Sequence, residues 1–155
     1  MRRFGGFQLS TAIFASIWLI FLVPIALQVY TGEGFATTAK AWMTICLLVF
    51  GAFYFYAFGS LRYFPRAWGT LARALLRWGI LLAIALASVP AMQTGSVAFA
   101  PYLAAMLGFT VTLRKALPIV VATGVLGIVA VWIWSPDDLT WAAFTLFVMP
   151  LMLVA

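Results

Sequence analysis

An all-α integral membrane protein, built as a six-helix transmembrane bundle with short loops and both termini in the cytoplasm, is the fold predicted by three features of this sequence. Hydrophobic residues make up 66% and charged residues 8% of its 155 positions, against roughly 45 to 50% and 25% in soluble domains. The apolar residues fall into long runs, and a spanning helix needs about 20 of them. Basic and acidic residues, finally, segregate to alternate connectors between those runs. Six spans would use roughly 120 positions, which leaves no room for a soluble domain.

The chain begins Met1-Arg2-Arg3-Phe4, a basic start that a cleaved secretory signal would share. The following run is longer than a signal core and lacks a small-residue cleavage site, so it reads as an uncleaved first span over 10–30. Pro24 lies within it and predicts a kink, since lipid tolerates proline where neighbours satisfy the freed carbonyl. Residues 31–40, with Glu33 and Lys40, form an external turn.

A second span over 41–61 carries Phe50, Phe53, Tyr54, Phe55, Tyr56 and Phe58. The connector after it is the most basic segment of the chain, with Arg62, Arg66, Arg73 and Arg77. On a helix Arg66, Arg73 and Arg77 share a face, which places the connector at the cytoplasmic interface. A third span over 78–92 sets Gly79, Ala83 and Ala87 at four-residue spacing, a small-residue stripe that predicts close helix contact. The turn Gln93-Thr-Gly-Ser96 leads to a fourth span over 97–113, where Ala104, Gly108 and Thr112 repeat that spacing.

Arg114 and Lys115 form a second basic connector before a fifth span over 116–134. Ser135-Pro-Asp-Asp138 is an external turn, and a sixth apolar run over 139–155 ends without a charged flank. That ending reads as a chain cut at or within its last span. A five-span alternative joins the third and fourth runs through a re-entrant turn and puts the carboxyl end outside.

Orientation follows from charge. With the amino terminus inside, Arg2, Arg3, Arg62, Arg66, Arg73, Arg77, Arg114 and Lys115 are cytoplasmic, while Glu33, Asp137 and Asp138 are external and only Lys40 is misplaced. Reversal would expose all of those cations on the wrong side. The net charge of +6 is thus topological; nucleic-acid binding would need the cations clustered on a solvated face.

Catalytic chemistry has little to stand on. The chain contains no histidine, which removes bis-histidine haem ligation, most zinc sites and histidine base catalysis. The acids are turn residues, so no carboxylate pair is poised within the membrane, and no ionisable group is expected at membrane depth. Cys46 lies in an apolar run and reads as packing; Gly124-Val-Leu-Gly127 follows no strand and is no phosphate loop. No catalytic, cofactor or metal-binding residue is therefore assigned. The polar residues at the entry of the first span, Gln8, Ser10 and Thr11, could instead make helix position sensitive to bilayer thickness, with Pro24 as the kink.

The stretch Ile17-Trp-Leu-Ile-Phe-Leu-Val-Pro-Ile25, the aromatic run from Leu47 to Phe58 and the short basic-punctuated spans after it resemble the membrane sensor region of DesK-like sensor histidine kinases. The resemblance covers most of the chain. It implies a homodimeric, multi-pass input module in a bacterial inner membrane. Its cytoplasmic carboxyl end would join a phosphoacceptor helix pair and an ATP-binding domain that act on a response regulator. ATP and Mg would belong to that kinase core; residues 1–155 contain no acceptor histidine, so no catalytic residue is carried over. The alternatives are a small self-contained transporter or channel-like protein, and a structural subunit of a larger membrane complex.

Overall fold

In lipid a backbone must satisfy its own N–H and C=O groups, and an apolar, alanine-rich chain does so as helices. The computed structural model describes residues 9–32, 34–60, 69–134, 137 and 139–148, and among them there is no strand. The first rod comprises α1 (Leu9–Ile17), a 3₁₀ stretch (Trp18–Leu22) and α2 (Val23–Thr31). It is followed by α3 (Thr37–Gly59), α4 (Thr70–Met92), a 3₁₀ stretch (Gln93–Phe99), α5 (Ala100–Gly108), α6 (Leu113–Trp134), α7 (Leu139–Ala143) and a π-helical turn (Phe144–Val148).

Side-chain bonds set the directions of these rods. Arg77 of α4 reaches Ser60 just past α3, while Trp42 near the start of α3 donates to the Ala87 carbonyl near the end of α4, so α3 and α4 are antiparallel. Lys40 donates to the Tyr30 carbonyl, which closes the turn between the first rod and α3. Ring pairs climb together along α3 and the segment that includes α5, as Phe50–Phe99, Tyr54–Tyr102 and Phe58–Phe109, so these two run parallel. Ala104 and Leu107 pack on Ala116 and Val120, whereas Val97 and Ala100 pack on Val131, so α6 runs back against α5.

Four rods are long and apolar enough to cross a membrane: Leu9–Thr31, Thr37–Gly59, Thr70–Met92 and Leu113–Ile133. Six spans were expected, and the difference lies in the fourth and sixth. In place of a span over 97–113 there is a shorter apolar helical segment, Gly95–Gly108, which ends in a turn before α6. Every residue from Ala100 to Leu107 is buried. A helix apolar on all sides belongs in a core. Enclosed by the first rod, α3, α4 and α6, it need not match the hydrocarbon thickness. The expected sixth span is described only as far as Val148, and 149–155 lies outside the described residues.

The third span starts earlier than expected, at Thr70 instead of residue 78, so α4 takes in Arg73 and Arg77. Its contact face also differs. Ala74, Arg77, Leu81, Ala85, Ser88 and Ala91 are buried, whereas Ala83 and Ala87 are exposed and a Cβ on Gly79 would meet open space. Small residues permit close approach; they do not select it when a neighbouring stripe fits the larger, ring-bearing α3. Close approach occurs on α6, where Cβ atoms on Gly124 and Gly127 would come within 2.8 Å of Phe147 and 2.7 Å of Leu146.

Candidate functional site

The first rod carries a defect with a definite cause. Pro24 has no N–H, so the Ile20 carbonyl loses its partner in the four-residue ladder. The Val23 N–H turns to Ile20 instead, and the helix tightens to three-residue bonding over Trp18–Leu22 before α2 begins with proline in its first turn. A 3₁₀ stretch inside a longer helix is a natural hinge. Pro24 thus directly follows the change in bonding.

One face of this hinge looks outward. Ile17, Trp18, Ile20 and Phe21 are exposed, Ile20 at 64%, as residues facing lipid should be. The other face buries Ala15, Leu22 and Val29 against the core. From that core the Tyr102 hydroxyl of α5 donates to the Trp18 carbonyl at 2.7 Å, joining the hinge to the central helix. Tyr102 stands edge-on to both Phe50 and Tyr54, with ring centroids 6.0 and 5.6 Å apart. Phe50 in turn lies 4.4 Å from Phe99, and Tyr54 4.7 Å from Phe58. Phe50, Tyr54 and Phe58 share a face of α3 because they recur every fourth residue. An aromatic column therefore backs this polar tie to the hinge.

Bilayer mismatch costs fractions of a kcal/mol per Å, and an interhelical hydrogen bond in a membrane contributes about 0.6 kcal/mol. The two are commensurate, so a modest change in thickness is enough to compete with the Tyr102–Trp18 bond. Replacing Tyr102 by Phe should cost little stability, about 0.6 kcal/mol, yet loosen the first rod. Spin-label distances between Ile13 and Leu86, both exposed, should broaden in Tyr102→Phe and stay unchanged in Tyr56→Phe; equal distributions in all three proteins would remove the tie from the account.

The other sequence-predicted residues scatter. Ser10 is exposed at the start of α1 and Thr11 half-buried beside it; Gln8, Arg62 and Arg66 lie outside the described residues. Arg114 and Lys115 are exposed in the first turn of α6, and Arg73 is half-buried in α4. Arg77 is buried within the bundle, 2% exposed, about 10 Å along α4 from Thr70. Its Nη2 donates to the Ser60 carbonyl at 2.7 Å. That carbonyl ends α3, where the helix dipole is negative and favours a cation. Arg77 thus ties α4 to α3 as well as contributing to the charge asymmetry.

Tyr102 is the site residue that sequence reasoning missed, and Arg77, read there only as a topology-setting cation, also bonds the Ser60 carbonyl. A signal existed for Tyr102, a hydroxyl in an otherwise apolar run that has to find an acceptor. Among the described residues no group of His, Cys, Asp or Glu could hold a metal ion, and Asp137 is the one described carboxylate, exposed beyond the end of α6. No family model matches the chain, and neither curated proteins nor solved structures yield a match.

Proposed function

We propose that this chain is the membrane-embedded input module of a sensor histidine kinase, which converts a change in the bilayer or outside it into movement of the first rod against the central helix. The observation that carries this reading is the lipid-facing 3₁₀ hinge before Pro24 tied to α5 by the Tyr102 hydroxyl. The two stretches that resemble DesK-like sensors, Ile17–Ile25 and Leu47–Phe58, supply the hinge and the α3 side of the aromatic column. Their meeting around Tyr102 supports a shared role.

In this reading the module crosses a bacterial inner membrane six times, with α5 and the segment from Leu139 as the fourth and sixth crossings. Arg73, Arg77, Arg114 and Lys115 all lie near the ends at which α4 and α6 begin, which favours that end as cytoplasmic. Both termini are then inside. The module works as a homodimer, passing its state to a kinase core that uses ATP and Mg and phosphorylates a response regulator.

The test is the full-length protein in vesicles of graded acyl-chain length. Its reading frame should continue into an acceptor histidine and an ATP-binding domain, autophosphorylation should vary with bilayer thickness, and Pro24→Ala should flatten that dependence. A frame without a kinase core, phosphorylation indifferent to thickness, or solute flux through the vesicles, as the transporter alternative requires, would overturn the reading.

A further inference from the structure

At the end where α4 and α6 begin, Thr70, Phe109, Thr110, Val111, Thr112 and Lys115 enclose a groove of about 310 Å³. Three features of its wall bear on what fits there. The first is charge: Lys115 lines it, Arg114 adjoins it, and Arg73 lies one helical turn beyond Thr70, while the one described carboxylate, Asp137, follows the opposite end of α6. These cations have no counter-charge among the described side chains on their own end of the bundle.

The second is donors. The Thr110 hydroxyl is committed to the Met106 and Leu107 carbonyls, but no described hydrogen bond occupies those of Thr70 and Thr112. The ladders of α4 and α6 start with Arg73 N–H to Gly69 and Lys115 N–H to Thr112, so no described backbone bond engages the N–H groups earlier in each first turn. Neither helix has an acid in its first turn. The third is an apolar flank: Phe109 is 64% and Leu113 46% exposed, beside the start of α6, a helix long and apolar enough to cross a membrane.

A free anion would use the first two features and gain nothing from the third, whereas a lipid uses all of them. We propose that this groove binds an anionic glycerophospholipid, its phosphate held by Lys115 with the Thr70 and Thr112 hydroxyls and an acyl chain laid over Phe109 and Leu113. Basic pockets between spanning helices recognise headgroups in this way. The proposal stands independently of the sensor reading, since it concerns a different end of the fold and needs no kinase core.

The experiment uses the full chain in nanodiscs of equal phosphatidylglycerol and phosphatidylcholine, released and weighed by native mass spectrometry. Phosphatidylglycerol should be retained preferentially. Lys115→Ala should reduce that retention about fivefold, as expected for one cation near the surface, Phe109→Ala should reduce it too, and inorganic phosphate should fail to displace the lipid. Lys40→Ala, at the other end of the bundle, should leave it unchanged. Equal retention of the two lipids, an equal loss in Lys40→Ala, or displacement by inorganic phosphate would each overturn the proposal.

Discussion

Phe50→Ala is expected to destabilise the bundle by about 2 kcal/mol, the cavity part of the cost of emptying a closed aromatic site. Phe50 is fully buried and touches Tyr54, Phe99 and Tyr102. In lipid the loss does not come from transfer out of water, because the unfolded side chain also rests in hydrocarbon. It comes from dispersion contacts that the cavity leaves unmade. The control is Phe21→Ala: Phe21 is 60% exposed, its neighbours are lipid tails, and tails can flow into the space. Unfolding in mixed detergent micelles should therefore separate the two variants widely. Equal midpoints would mean that the column around Phe50 is not a packed core, and the coupling between hinge and central helix would lose its backing.

Gly124→Leu should cost about 1–3 kcal/mol, as overpacking does, and should push the segment after Leu139 away from α6. A Cβ at Gly124 would stand 2.8 Å from Phe147 and 3.0 Å from the Leu146 carbonyl; the ring can turn aside, but the backbone oxygen cannot. Gly127→Ala should be milder, since the atoms it meets are the branched end of Leu146. Gly79→Leu provides the comparison, because nothing lies within 4 Å of its Cβ. It should be neutral or slightly stabilising, given the poor helix propensity of glycine. Thiol accessibility of a cysteine placed at Ala142, which is buried beside Val131 of α6, should rise in Gly124→Leu alone. If Gly79→Leu were the more damaging change, the contact face assigned to α4 would be wrong.

The glycines show where sequence reasoning reached its limit. Gly79, Ala83 and Ala87 had the spacing of a contact stripe, and Gly124 and Gly127 drew no such reading. A helix surface carries several stripes at once, and which one is used depends on the shape of the partner. Pro24 was legible because the cause is local: a missing N–H breaks the ladder wherever it falls. The aromatic column was half legible, since Phe50, Tyr54 and Phe58 share a face on any helix. Their partners Phe99 and Tyr102 lie in another rod, and no spacing within α3 points to them.

The sequence by itself determined that this chain forms long apolar helices and that the bonding of the first rod changes ahead of Pro24, because composition and backbone chemistry act within a few residues. Tertiary structure alone decided that α5 is enclosed, that Arg77 ends buried against the Ser60 carbonyl and that Tyr102 closes on Trp18. Those outcomes depend on which rods become neighbours, and in a bilayer every apolar face is equally at ease. The choice between them falls to shape, close packing and the few polar atoms that must find a partner.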